Sequence, residues 1–463
     1  MAQVRTFRLS KSRITAGLQC GKRLWLAVHR PELEVYSADT QRRFAAGHDV
    51  GEVARGLYGP GILVDGDGGL SRAVDETTRL LAQPGDVTLF EATFRHRGVL
   101  VRTDVLERKG GRYRMVEVKS ATRLKEYHLQ DVAIQAWVTE GAGVPLDVLG
   151  VAVIDTDFVY PGGADYRGLL REIPVADQAR PLMAHIPKWV RGFNELLAGP
   201  APAIAVGQQC RRPFECPFLA ACEGRDPDAA GREPRREVTD PREQDRIDVT
   251  LGELDPAATE FLATLPYPRY YLDFETVQFA VPVWAGTRPF QQVVFQWSCH
   301  AEREHGELQH LEFLDTSGDA PMRGAAEALL DAVGDEGPIF VYHDFEKWRL
   351  VEMAAAFPDL APRLEAVTGR LVDLLRLTRD HYTHPALNGS YSLKVVLPTV
   401  DAELDHALLG DVQDGLSAQA AFHEAVAPAT GDERRDDLRA ALLQYCALDT
   451  LALVRVAHRL GKG

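Results

Sequence analysis

Mixed helix and strand, divided between two successive domains, is the architecture this sequence predicts, and three observations carry that α/β expectation. At 463 residues the chain is longer than one hydrophobic core ordinarily serves. Residues 224–248, GRDPDAAGREPRREVTDPREQDRID, are charged, hold three prolines and no aromatic side chain, and read as a linker. On either side of it, segments of strand period alternate with segments of helical period. The expected layout is a domain over 1–223, the linker over 224–248 and a second domain over 249–463.

The first domain opens with a helix-like stretch around Ile14–Val28. A second helix follows in SADTQRRFAAGHDVGEVARGLYG, with Ser37 or Asp39 placed to cap it and Gly59 to stop it. Three strand-like runs come next, VTLFEATFRH, GVLVRTDVLER and RYRMVEVKSA. A helix from about Glu126 to Glu140 and a buried strand in LDVLGVAVIDT complete the series. The second domain begins with a helical stretch, roughly Val249 to Leu265, and a strand in PYPRYYLDFETV. Its C-terminal segment ALLQYCALDTLALVRVAHRL has the apolar period of an amphipathic helix.

Composition bounds the function. Apolar residues at 45% and charged residues at 26% describe a soluble globular protein. No run of 18 or more apolar residues occurs, so no membrane span is expected. The start, MAQVRTFRLSKSRITAGLQC, is basic without a hydrophobic segment and cleavage site, so no signal peptide is expected. Six cysteines in such a chain suggest a reducing, cytoplasmic setting, where clustered cysteines hold metal more often than they form disulfides. The net charge of −15 excludes a general basic coat for nucleic acid. It leaves room for a metal-dependent nuclease, whose site is built of carboxylates. Residues 1–30 carry Arg5, Arg8, Lys11, Arg13, Lys22, Arg23 and Arg30 and no acid. That is a phosphate-contacting patch centred on Lys11, Arg13, Lys22 and Arg23, or else a solvated basic face.

Chemistry-bearing residues fall into three groups. In the first, Gly110-Gly111 is a strong two-residue turn signal between two strands. Hairpin pairing about it sets Asp104 opposite Glu117, and the alternation of strand side chains adds Lys119 to the same face. Glu91 is placed to join from the preceding strand. Two carboxylates about 5 Å apart repel one another and call for a divalent cation. Oxygen ligands favour Mg²⁺ or Mn²⁺, and a neighbouring lysine can orient water or stabilise charge on a phosphate. The competing expectation is a solvent-facing sheet with cross-strand ion pairs.

D-x(12)-E-V-K followed by a helix containing Gln resembles the PD-(D/E)XK core of RecB-type exonucleases and CRISPR adaptation nucleases. The resemblance implies that Asp104 and Glu117 bind metal, that Lys119 is catalytic and that Gln135 lies near the site. Two positions depart from that pattern. The place of a metal-binding His is held by Gly51, with His48 three residues earlier as a substitute ligand. The usual Tyr four residues beyond the Gln is Thr139, and the nearest aromatic is Trp137.

The second group is CRRPFECPFLAAC, which spaces Cys210, Cys216 and Cys222 evenly and lacks a fourth thiolate. Cys299 and Cys446 sit in apparent core segments, whereas Cys20 lies in the first domain. One early and three late cysteines resemble the iron–sulfur nucleases of the RecB-like group. This implies a [4Fe–4S] cluster on Cys20, Cys210, Cys216 and Cys222, with Zn²⁺ as the alternative occupant.

The third group lies in the second domain. YYLDFETV sets Asp273 and Glu275 on one strand face, and Tyr445 and Asp449 are one turn apart on the C-terminal helix. An early D-x-E and a late Tyr-x(3)-Asp resemble the DnaQ-type 3′–5′ exonucleases of the ribonuclease H-like fold. FVYHDFEKWRL then matches their middle motif, with Glu346 where an Asp is usual, and SYSLKVVLP resembles the segment that follows. Asp373 is an outside candidate whose ordinary role is a helix cap.

The whole layout resembles an uncharacterised bacterial family of RecB-like nucleases with a C-terminal ribonuclease H-like domain. That implies a metal-dependent nuclease acting on nucleic acid, with DNA the expected substrate and strand ends the expected point of attack. The alternative is a nucleic-acid-binding protein in which one or both acidic sites have degenerated.

Overall fold

A computed structural model describes residues 9–66, 68–225, 247–401, 404, 412 and 414–462. Most of the expected linker, 226–246, lies outside the described residues, as do Arg5 and Arg8. The chain divides into two compact units, one of 1–237 with 279–290 and one of 238–278 with 291–463. The fold is mixed α/β in each.

In the first unit, β1 (Leu9–Ser10) leads into α1 (Lys11–Gln19), capped by the Ser10 hydroxyl, and α2 (Gly21–His29). The single helix expected over 14–28 is therefore broken, because Cys20 takes an extended conformation between the two pieces. α3 (Ala38–Leu57) starts at Ser37, whose hydroxyl accepts from the Thr40 amide, so Ser37 is the cap and not Asp39. Then come β2 (Ile62–Leu63), α4 (Leu70–Leu81), β3 (Val87–His96), β4 (Val99–Lys109), β5 (Arg112–Lys119), α5 (Glu126–Gly141), β6 (Leu146–Ile154), β7 (Leu170–Pro174), α6 (Ala176–Met183), α7 (Ile186–Ala198) and α8 (Leu219–Cys222).

The sheet runs β2-β3-β4-β5-β6-β7. Gly110 and Gly111 turn the β4–β5 hairpin at φ 58° and 79°, left-handed values that favour glycine at both positions. Val105 pairs with Val116 and Lys109 with Arg112, the register expected from the sequence. Beyond Val105 that edge of β4 is taken by β1, which pairs in parallel with Val99 and Leu100. Leu106 and Met115 face a core shared with Val132, Ile134 and Val138 of α5. Val105 and Val116 point to the opposite face.

The second unit holds β8 (Glu253–Leu254), α9 (Pro256–Ala263), β9 (Arg269–Val277), β10 (Val293–Glu302), β11 (Leu308–Leu314), α10 (Met322–Val333), β12 (Ile339–Val341), α11 (Phe345–Ala356), α12 (Ala361–Gly369), β13 (Leu371–Asp373), α13 (Leu374–His381), β14 (Tyr382–Thr383), α14 (Leu393–Val400), α15 (Gly415–Val426) and α16 (Asp432–Gly461). The helix expected over 249–265 contracts to α9, because Asp255 caps it and Pro256 occupies its first turn.

Its sheet runs β11-β10-β9-β12-β13, with β9, β10 and β11 antiparallel and β9, β12 and β13 parallel. α16 is long and apolar enough to cross a membrane, yet more than half of its apolar stretch is buried inside the unit. It packs Leu453 and Val456 with Tyr271 and Phe340 of the sheet. Leu272 and Phe274 are buried with the opposite side-chain parity, so odd-numbered β9 residues meet α16. The β9–β10 connection, residues 279–290, belongs to the first unit by its contacts, a departure from the expected boundary at 249.

Candidate active sites

The first acidic group assembles where β4, β5, α5 and α1 meet. Glu117 is 1% exposed, and three side chains close on its carboxylate. Lys11 Nζ lies 2.6 Å and Lys119 Nζ 2.8 Å from Oε1, while Gln135 Nε2 donates to Oε2 at 2.5 Å. Lys119 also donates to Asp131 at 2.7 Å, and the Thr15 hydroxyl donates to the same carboxylate at 3.3 Å. Asp104 accepts the Val118 amide at 2.7 Å, which fixes it beside Glu117 at the end of the hairpin ladder.

Burial and the Glu117 charge push the Asp104 carboxyl up to about 8. Burial acts the same way on Glu117, but Lys11 and Lys119 outweigh it and hold that carboxyl well below the usual range. Lys119 is likewise raised, its burial offset by Glu117 and Asp131. His128 is 2% exposed, and burial, with Lys119 nearby, pushes it down to about 4. Two buried oxygens on α5, Gln135 Oε1 and Thr139 Oγ1, have no hydrogen-bond partner. Gln135 Oε1 belongs to the amide already bound to Glu117, so an oxygen lone pair is left over beside the carboxylates.

The sequence expectations meet this geometry unevenly. Asp104, Glu117, Lys119 and Gln135 come together. Lys11, expected as a phosphate contact, instead pairs with Glu117. Glu91 falls opposite Asp104, but its carboxylate pairs with Arg102 at 3.1 Å, and its φ of 58° is a strained value for a non-glycine residue. His48 has a side chain 72% exposed and reaches Glu52 at 3.7 Å, so the structure does not bring it to the carboxylates. Gly51 has open space around it. Trp137 packs against His96, 4.8 Å between ring centroids. Asp131, Thr15 and His128 were missed. The available signal was the helical spacing of Asp131, Gln135 and Thr139, and of Lys11 and Thr15, four residues apart on one face.

All six cysteines are free thiols. Cys20, Cys210, Cys216 and Cys222 line one cavity together with Lys22, Arg23 and Phe218. Cys20 sits at the break between α1 and α2, Cys210 ends a 3-10 turn and Cys222 ends α8. Gln19 ties the two chain segments together by donating to the carbonyls of Gln209 and Phe214, each at 2.7 Å. Burial raises the Cys216 thiol, with Arg23 acting against it. Lys22 and Arg23, expected as phosphate contacts, thus face the cysteines, and Arg23 also bonds the Gln19 side chain. Arg13 is half-buried on α1.

In the second unit, ligand oxygens of Asp273, Glu275 and Asp449 lie within 4.8 Å of one another. β9 supplies the first two, α16 the third. A bulge in β10 between Val294 and Gln296, opposite Glu275, locally alters the pairing beside these acids. Glu346, at the start of α11, is 2% exposed, and its Oε2 has no partner. Tyr445 hydrogen-bonds Asp449 one turn along α16. The Cys446 thiol contacts Asp273 Oδ2 at 3.7 Å.

Burial and mutual repulsion raise Asp273, Glu275 and Glu346 well above the carboxylate range. The Tyr445 hydroxyl is raised by burial and by Asp449. Asp373 caps α13 and accepts the His343 amide, so it keeps the ordinary role. SYSLKVVLP contains the start of α14.

Residues 270–392 match the model of a family described as a domain of unknown function, DUF2779. Over 208 residues the chain is 31% identical to an uncharacterised protein of Mycoplasma pneumoniae, the MG366 homologue. That match covers 41% of this chain and 31% of the relative, so the chain spans about a third of the curated relative's length. Asp273, Glu275 and Glu346 fall inside the matched family region, while Tyr445 and Asp449 lie beyond it.

Proposed function

We propose that the protein is a metal-dependent nuclease with two acidic sites, a PD-(D/E)XK-like one in the first unit and a ribonuclease H-like one in the second. The observation that carries this reading is the buried Asp273–Glu275–Asp449 triad, whose ligand atoms converge within 4.8 Å. Several carboxylates buried together without a counter-charge are costly unless cations join them. The orphaned Glu346 Oε2 fits the same need. The strand order β11-β10-β9-β12-β13, three antiparallel then two parallel additions, supports the ribonuclease H-like assignment.

Divalent ions bound there would supply Lewis acidity and an activated water for phosphodiester cleavage. Asp273, Glu275, Glu346 and Asp449 would hold them, and oxygen ligands suit Mg²⁺ or Mn²⁺. Tyr445 keeps its proton and orients Asp449. In the first unit Asp104 and Glu117 would hold metal, Lys119 would stabilise charge on the scissile phosphate, and Gln135 would fix Glu117. DNA is the proposed substrate, attacked from strand ends.

The four cysteines support a [4Fe–4S] cluster closing the first unit. Tetrahedral zinc, with Zn–S near 2.3 Å, draws its thiolates to about 3.8 Å apart. The four cysteines line one cavity, which suits either occupant, and the resemblance to the iron–sulfur nucleases favours the cluster. A cubane, with each thiolate on a separate iron, uses a wider spacing. Lys22 and Arg23 would offset its negative charge. Free thiols agree with a cytoplasmic setting.

A binding role for the first unit is the second reading, favoured by the saturation of Glu117 by two lysines and an amide. The deciding experiment incubates the protein with end-labelled single- and double-stranded DNA and RNA, with Mg²⁺ or Mn²⁺ and with a chelator. Metal-dependent release of nucleotides from DNA is expected. Binding without degradation in any metal would replace the enzyme with the binding protein.

A further inference from the structure

The two acidic sites differ in how their charge is met. Around Asp273, Glu275 and Glu346 the charged neighbours that shift them are other carboxylates, and among the described residues no Lys, Arg or His is paired with these three. Around Glu117 there are two ammonium groups, Lys11 and Lys119, set against Asp104, Glu117 and Asp131. Both ammoniums bond the same oxygen, Oε1, at 2.6 and 2.8 Å, and Gln135 takes Oε2.

A carboxylate oxygen offers about two lone pairs, so Oε1 is filled and Oε2 keeps roughly one. Asp104 Oδ2 already accepts the Val118 amide. The acceptors left for a divalent ion are therefore the second Asp104 oxygen, the remaining lone pair of Glu117 Oε2 and the unpartnered Gln135 Oε1.

We propose that Lys11 holds the place of a second divalent ion, so that the first unit works with one metal ion and two lysines. The proposal rests on the metal-dependent reading of the first site given above. Lys11 is no loose surface side chain. Its helix is capped by Ser10, in the strand that pairs with β4, the strand carrying Asp104. One turn further, Thr15 of the same helix bonds Asp131, the other partner of Lys119. At the far end, Gln19 and Cys20 fix the helix to the cysteine segment. Lys119 is held by two carboxylates and Lys11 by one, so Lys11 is the charge that metal would have to displace. Its ammonium is a positioning charge on a metal ligand and touches no substrate in this account.

The test counts ions without using catalysis. Mn²⁺ binding is measured by calorimetry and by electron paramagnetic resonance on the full chain carrying Asp273→Asn and Asp449→Asn, which silences the second unit. With Lys11 present, one Mn²⁺ per chain is expected. Lys11→Ala in that background should take up a second ion, and Lys11→Arg should return the count to one. Two ions bound in the presence of Lys11, or one ion bound by a folded Lys11→Ala protein, would overturn the proposal. No Mn²⁺ binding to the Lys11 protein would overturn both the proposal and the metal-dependent reading of that site. Where the Ala variant fails to fold, Lys11→Met, which keeps the stem and removes the charge, is counted in its place.

Discussion

Gln19 donates its side-chain amide to the main-chain carbonyl of Gln209 at 2.7 Å across 190 positions of sequence. The bond joins the residue before Cys20 to the residue before Cys210. A second bond from the same nitrogen, to Phe214, holds the approach to Cys216. The early cysteine and the three late ones are thereby lined up before any cofactor is considered, and α1 runs from that junction to Lys11 at Glu117.

Protein purified without oxygen is accordingly expected to be brown, with the broad visible absorbance of iron–sulfur charge transfer and iron and sulfide in equal amounts. Cys20→Ala should remove the colour, and Gln19→Ala should lower cluster occupancy. A colourless protein with stoichiometric zinc would contradict the cluster, and a fully loaded Cys20→Ala protein would place the fourth ligand elsewhere.

Metal and pH should be linked through the second site. Asp273, Glu275 and Glu346 have folded-state proton affinities raised above those of the unfolded chain. Below the ordinary carboxylate range both states are protonated and the site costs nothing. Above it the unfolded chain loses protons that the folded one retains, so metal-free stability falls as pH rises. Mg²⁺ or Ca²⁺ should raise the melting temperature by an increment that grows from about pH 5 to pH 8, because the ion competes with protons that become scarcer as pH rises. Asp273→Asn should stabilise the metal-free protein at the upper end of that range and lose the metal response. A metal effect independent of pH would contradict this.

How much of this was legible in the sequence follows from locality. The β4–β5 register was readable because Gly110-Gly111 fixes a two-residue turn, and strand alternation then settles which side chains share a face. A strand period put Asp273 and Glu275 on one face and a helix period put Tyr445 beside Asp449, but that the two pairs meet was implied only by the resemblance to DnaQ-type exonucleases. The break at Cys20 was not readable, since nothing in LQCGKR interrupts a helical pattern strongly enough to beat the observed helix–helix geometry. Nor was the role of Lys11, because a basic residue near a chain start looks solvated until tertiary packing brings a carboxylate to it. The transfer of residues 279–290 to the first unit is likewise a matter of long-range contacts.

Tyr445 should matter to rate and not to metal. Its buried hydroxyl stays protonated and bonds Asp449. Tyr445→Phe keeps the ring and removes that bond, so cleavage by the second unit should drop by about 10²-fold, the scale of a slightly misplaced reacting geometry. Mn²⁺ affinity measured by calorimetry should change little. A parallel loss of metal binding would make the residue a structural prop of Asp449.

Thr139 offers a stability test of the helix beside the first site. Its Oγ1 is buried without a partner. Thr139→Val keeps the shape and removes the stranded hydroxyl, and should raise stability by about 1 kcal/mol in denaturant titrations. A loss of that size would mean that the hydroxyl has a partner in solution.

The central claim is that both acidic sites perform phosphodiester hydrolysis. It is tested most directly by comparing wild type, Lys119→Ala, Asp273→Ala and the double variant on end-labelled DNA with Mn²⁺. The account predicts that each single variant loses the share of degradation belonging to its unit and that the double variant retains none. Undiminished degradation by the double variant would contradict it.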